Sequence, residues 1–238
     1  MPTALELVDV NAGYGKLHIL YDISLEIPEK EITVIVGPNG SGKSTLLKTI
    51  FGLTTIYSGD VVYRGVNIAG KKPHDIAKLG IAYLPQVGNV FDNLTVEENL
   101  RMAAHDFPKT TAREAIEEAL EMFPVLKAFR KRRAKTLSGG EKQMLAMAMA
   151  MIRKPDLVIF DEPTAALAPK IAVQVLKEIV RLRDEFNKTI ILVEQNAKRA
   201  LEIGDKAVLL VSGRIQFKGG PKELLTHPEL SKLYLGLK

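Results

Sequence analysis

Two short stretches carry the residue types that phosphate chemistry needs. Gly37-Pro38-Asn39-Gly40-Ser41-Gly42-Lys43-Ser44-Thr45 has the form G-x-x-x-x-G-K-S. Its glycines let backbone N–H groups turn inward around a polyanion, at dihedral angles that side chains disfavour. A helix opening at the end of such a loop adds partial positive charge. In this arrangement Lys43 reaches the β- and γ-phosphates of a nucleotide and the Ser44 hydroxyl is a Mg²⁺ ligand. The second stretch, Leu157-Val158-Ile159-Phe160-Asp161-Glu162, is four apolar residues followed by two acids. Two carboxylates at the end of a buried strand point to something cationic. Asp161 fits as a Mg²⁺ partner, directly or through water, and Glu162 as the base that polarises an attacking water. An acidic turn that starts the next helix is the blander reading.

The flanking residues supply the elements that must hold these groups. Ile32-Thr33-Val34-Ile35-Val36 is apolar and β-branched and predicts a buried strand before the loop. Leu46, Leu47, Ile50 and Phe51 then fall on one face of a helix. Residues 5–10 and 23–27 alternate apolar and polar, and with 60–70 they predict a small antiparallel layer. Thr95-Val96-Glu97-Glu98 is a capping box, and Ala112, Ile116, Ala119, Leu120 and Phe123 form an amphipathic stripe ended by Pro124. A Met- and Ala-rich helix follows to Ile152, its methionines read as adaptable packing. Ile171, Val175, Ile179 and Leu182 mark a long helix, Ile190 to Val193 a strand, and Ser212-Gly213 turns a last strand back as a hairpin. From Gly219-Gly220-Pro221 onward the chain reads as short helix and tail.

Three weaker candidates lie at element ends. Tyr14 stands between Gly13 and Gly15, either as a turn residue or as a flat surface for stacking an adenine. Gln86 follows the strand Ile81-Ala82-Tyr83-Leu84, where α/β sheets gather ligands; it reads as a contact to Mg²⁺ or water, or as a solvated strand end. Ser138-Gly139-Gly140 at a helix start reads as an anion site or as an ordinary cap.

At 238 residues, 46% hydrophobic and 26% charged, the chain suits one large domain or a core with a small lobe. It has no cysteine, which excludes disulfides, thiolate metal sites and a cysteine nucleophile. No apolar run has bilayer length, and residues 1–6 lack a signal peptide's basic and apolar regions, so a cytosolic protein is expected, free to dock on a membrane protein. The net charge is +5, but the basic residues are spread out. The one dense run, Arg130 to Arg133 with Lys135, reads as a solvated loop, and no nucleic-acid partner is expected.

Taken in order, the motifs resemble the ATP-binding subunit of an ABC transporter, over essentially the whole chain. The most specific element is the signature Leu137-Ser138-Gly139-Gly140-Glu141, set between a Walker A (Gly37 to Thr45) and a Walker B (Leu157 to Glu162). Tyr14 stands at the A-loop position, Gln86 at the Q-loop, and Ala165 to Ala168 at the D-loop. The resemblance implies an α/β fold: a P-loop NTPase core with a small antiparallel β layer (residues 1–86 and 154–238) and an inserted helical subdomain (87–153). It implies that ATP with Mg²⁺ is sandwiched between two subunits. Tyr14, residues 37–45 and the signature residues Ser138, Gly139, Gly140 and Glu141 would hold the nucleotide. Ser44, Gln86 and Asp161 would hold the metal, and Lys43, Gln86, Glu162 and Gln195 would serve hydrolysis. Implied partners are a second ATPase subunit, two membrane permeases on whose inner face the chain would sit, and indirectly an extracytoplasmic binding protein.

Two positions leave the common pattern of that family. Ala168-Pro169 stands where the D-loop usually ends in Asp, and Gln195 where the switch residue is usually His. With the Glu194-Gln195-Asn196 string, these resemble the second ATPase of branched-chain amino acid importers; an importer of urea or short amides would look much the same. A soluble ATPase acting on DNA or ribosomes would carry a long coiled-coil insertion or two ATPase units, and neither is present. A nucleotide sensor without hydrolysis is disfavoured by the intact Glu162 and left open by Gln195.

Overall fold

The computed structural model describes residues 2–230. In chain order the elements are β1 (Thr3–Tyr14), β2 (Leu17–Pro28), β3 (Ile32–Val36), α1 (Lys43–Ile50), β4 (Thr55–Tyr63), β5 (Val66–Asn67), α2 (Pro73–Lys78), β6 (Ile81–Leu84), α3 (Val96–Ala103), α4 (Lys109–Met122), α5 (Gly139–Met151), β7 (Leu157–Asp161), α6 (Pro169–Asp184), β8 (Thr189–Val193), α7 (Ala197–Ile203), β9 (Lys206–Val211), β10 (Arg214–Gly219) and α8 (Pro221–Thr226). The tail read from sequence beyond residue 230 lies outside the described residues.

The central sheet runs β10-β9-β3-β8-β7-β6, parallel throughout except for the β9–β10 hairpin. All five residues of β3, β7 and β8 are buried, because helices or a second sheet cover both faces of a parallel sheet. Alternate side chains point to opposite sides and so feed two separate cores. Val34, Phe160 and Leu192 pack toward α3, α4, α5 and α6, against Leu100, Leu120, Leu145 and Ile179. Ile35, Ile159 and Ile191 face the other way, toward α1 and the four-stranded layer β2-β1-β4-β5. Each such side chain contributes roughly 1.5–3 kcal/mol on burial, so the sheet is fixed from both sides. Its carboxyl ends form a rigid edge.

The helices of residues 87–153 share the first of these cores with the sheet. The capping box expected at Thr95 is formed: Glu98 N donates to Thr95 Oγ1 at 3.2 Å, and Thr95 N donates to Glu98 Oε2 at 2.7 Å. The basic run is tied down in part, since Arg130 pairs with Glu97 at 3.1 Å and with Glu117 at 2.8 Å.

The structure extends two expected strands. β1 and β2 each run for twelve residues, with register shifts after Val10 and Ala12 that break the strict alternation. Tyr14 closes β1 rather than standing in a free turn. Helix α2 has no counterpart in the sequence reading because Ile76 is its one buried residue, so it shows no apolar stripe.

Candidate functional site

The chain order β3-β8-β7-β6 in space sets four strand ends side by side. The loop 37–42 leaves β3, Glu194 and Gln195 leave β8, Asp161 ends β7 and Glu162 follows it, and Gln86 stands just past β6. This is where an open α/β sheet collects ligands. A cleft of about 520 Å³ lies there, lined by Asn39, Gly40, Gly42, Lys43, Ser44, Thr45, Gln86, Glu162 and Gln195, with Ile19 from β2.

The loop takes its shape from its glycines. A Cβ on Gly37 would stand 2.0 Å from the carbonyl oxygen of Leu210, so no other residue fits against β9 there. Gly42 caps α1 at φ +101° with no side-chain cap bond, which leaves the first N–H groups of the helix facing the loop. Lys43 is 6% exposed, and its Nζ donates to the carbonyls of Gly37 at 2.9 Å and Pro38 at 3.0 Å. Burial holds its pKa below the usual lysine value, against the pull of Glu162 and Asp161. Inside the loop the Ser41 hydroxyl is buried without a partner, a donor left over for a ligand oxygen.

Asp161 is 4% exposed and accepts two hydroxyls: Ser44 Oγ at 2.9 Å on Oδ1 and Tyr83 O–H at 3.0 Å on Oδ2. Burial and the adjacent carboxylate push the Tyr83 phenol well above its ordinary pKa, so it stays a donor. A hydroxyl and one buried carboxylate are hard oxygen donors. No group of three or more His, Asp or Glu that could hold a metal exists among the described residues. The set fits Mg²⁺, which keeps water and substrate phosphates in most of its coordination positions.

Glu162 is half-buried at φ +50°, in the left-handed region. Gln86 Nε2 donates to its Oε2 at 3.0 Å. The glutamine therefore meets Glu162, while the pair Ser44–Asp161 stands without it. Glu194 is 4% exposed, and its Oε1 accepts the N–H of Thr164 at 3.0 Å. Burial raises its pKa, while hydrogen bonds from Thr164 and the Gln195 backbone pull it down.

Other expected site residues stand outside this cleft. Tyr14 is 42% exposed at the end of β1 and does not line it. Ser138, Gly139, Gly140 and Glu141 open α5, also away from it. Ser138 Oγ accepts Glu141 N at 3.4 Å and Glu141 Oε2 accepts Ser138 N at 2.7 Å, so both side chains serve a capping box. Gly139 and Gly140 lie against Leu167 and Ile171, where a Cβ would stand 2.6 Å from each. Two participants were not singled out from sequence. Tyr83 is one of four apolar-looking strand residues, and Glu194 looks like one more polar residue at a strand end. A phenol one residue before a strand end, or a carboxylate just past one, is the signal that was there to use.

The profile of the ABC transporter family matches residues 20–165. A probable branched-chain amino acid transport ATP-binding protein, LivF, from Archaeoglobus fulgidus is 56% identical over 233 residues, 98% of this chain and 99% of that protein. The high-affinity branched-chain amino acid transport ATP-binding protein BraG from Pseudomonas aeruginosa is 42% identical, over 95% of this chain and 97% of its own length. Among solved structures, the ATP-binding cassette MJ0796, a dimer in a post-hydrolysis state with ADP and Pi bound, superposes with a TM-score of 0.77. It is 26% identical and covers 91% of this chain and 98% of its own.

Proposed function

The chain belongs to the ABC transporter family as an ATP-binding and ATP-hydrolysing subunit, and we propose that it energises the import of branched-chain amino acids through membrane permeases. The observation that carries this reading is the convergence in one cleft of the phosphate loop, the Ser44–Asp161 pair, the Gln86–Glu162 pair and Gln195. The substrate comes from the names of the two transport relatives, at 56% and 42% identity.

In this account the N–H groups of residues 37–45 and Lys43 hold the β- and γ-phosphates of ATP. Ser44 and Asp161 hold Mg²⁺, with Tyr83 orienting the carboxylate from behind. When bound, Mg²⁺ offsets the negative charge of the phosphates. Glu162 accepts the proton of the attacking water, and the Gln86 amide fixes the direction in which its carboxylate points. Gln195 donates its amide N–H to the γ-phosphate.

The signature stands away from the cleft of its own chain, which supports a two-chain site: residues 138–141 of one subunit face the phosphate loop of the other, with Tyr14 under the adenine. The dimeric cassette with ADP and Pi supports the pairing of two such subunits. Residues 87–153 then act as the lobe that passes closure of the dimer to two permeases at the inner face of the membrane. No helix among the described residues is long and apolar enough to cross a membrane. A sister ATPase and an extracytoplasmic binding protein complete the assembly.

Leucine uptake into proteoliposomes carrying the chain with its permeases, sister ATPase and binding protein tests this reading. ATP-driven uptake that is lost with Lys43→Ala supports it. Uptake of urea or short amides in place of leucine would overturn the substrate assignment, and uptake unaffected by Lys43→Ala would overturn the energising role.

A further inference from the structure

Glu194 is a carboxylate that the mechanism above leaves idle. It follows the last residue of β8 and is 4% exposed. Burying such a group is unfavourable unless hydrogen bonds compensate, and an aliphatic side chain would fill the space at less cost. Its hydrogen bonds go to two neighbours: Oε1 takes the N–H of Thr164 at 3.0 Å, and the carboxylate also meets the Thr164 side chain and the Gln195 backbone.

Both partners lie beside residues assigned to hydrolysis. Thr164 is two residues past Glu162, and Gln195, which lines the cleft, is the residue assigned to the γ-phosphate. Glu162 N also donates to Val193 O at 2.9 Å, so the segment from Glu162 to Thr164 is held on β8 at both ends. Between and beyond those anchors Glu162 sits at φ +50° and Ala166 at φ +60°. Non-glycine residues keep such angles only where their surroundings over-determine them. With the Thr164 anchor removed, Glu162 is free to relax toward an ordinary backbone angle, and its carboxylate leaves the Gln86 amide.

We propose that Glu194 is a positioning residue for ATP hydrolysis, clamping the backbone after Glu162 to that of Gln195 so that base and phosphate contact form one rigid frame. The proposal rests on the assignment of Glu162 as the base.

Steady-state hydrolysis and nucleotide affinity of the full chain test it. Glu194→Ala should lower kcat by about ten- to a hundredfold, the range that misplacement of a catalytic group costs, and leave ATP affinity within about threefold. Glu194→Gln, which keeps a carbonyl to accept the Thr164 N–H, should recover most of that rate. Because the clamp acts in part through Glu162, Glu194→Ala should cost less in a Glu162→Gln background than in the parent. A folded Glu194→Ala at the parent rate would overturn the proposal. Additive losses in a slow Glu162→Gln background would overturn it while leaving the base assignment standing. Glu162→Gln at the parent rate would remove that assignment and the proposal together. Should Glu194→Ala unfold below the assay temperature, Glu194→Asp, whose carboxylate is one methylene short, decides: a slow enzyme supports the clamp and the parent rate refutes it.

Discussion

Gln86 Nε2 and Glu162 Oε2 stand 3.0 Å apart, joined across two strand ends that are 76 residues distant in the chain. The bond is charge-assisted, of a kind worth about 1.5–3 kcal/mol. It gives the carboxylate one fixed orientation rather than a choice of rotamers.

Gln86→Ala should therefore slow hydrolysis about tenfold or more, the rate equivalent of losing a bond to a charged group, with ATP affinity little changed. Parallel measurements of kcat and nucleotide binding check this. A drop in affinity at unchanged kcat would mean that Gln86 holds nucleotide or metal instead of orienting Glu162.

Tyr83→Phe removes the hydroxyl from Asp161 and keeps the ring that packs beside Phe51 at 5.5 Å between centroids. A net hydrogen bond contributes about 1 kcal/mol, so the Mg²⁺ concentration for half-maximal hydrolysis should rise a few-fold. Titrating Mg²⁺ at saturating ATP reads the shift; an unchanged midpoint would make Tyr83 a packing residue only.

The neutral form of Glu194 is favoured in the fold, chiefly by burial, so its pKa lies above the ordinary 4.5. A group of this kind stabilises fully below its unfolded pKa and loses that contribution as pH rises through the folded value. Glu194→Gln does not titrate. Its Tm relative to the parent should therefore climb as pH rises from about 4.5 toward and past the raised value. Thermal unfolding across that range is the check, and a Tm difference independent of pH would contradict it.

Most of the fold was legible in the sequence because buried parallel strands are short apolar runs, and β3, β7 and β8 each carry four apolar residues in five. The site residues at their ends were legible for a related reason: a charge or glycine that interrupts such a run has to be accounted for. What stayed hidden depends on register between strands. Tyr83 pairs with Ile159, which sets its hydroxyl beside Asp161 from 78 residues away. Glu194 gains its meaning from the N–H of Thr164, which sequence spacing does not reveal. The full lengths of β1 and β2 were hidden by the register shifts after Val10 and Ala12.

Gln195 lines the cleft. Its amide supplies N–H donors but no titratable proton, unlike a histidine at that place. Gln195→Ala should fall well below the parent rate, since a preorganised donor contributes about 10²–10³, and Gln195→His should match or exceed the parent. Hydrolysis by the assembled transporter carrying each variant decides this; Gln195→Ala at the parent rate would make the residue a bystander.

The account turns on Glu162 acting on water and not on nucleotide. Glu162→Gln keeps the shape of the side chain and removes its basicity, so ATP binding and single-turnover hydrolysis of that variant are the direct test. The account predicts Mg-ATP bound at parent affinity, with single-turnover hydrolysis slowed by about 10²–10⁴, the contribution of a general base. Turnover at the parent rate, or loss of ATP binding, would contradict it.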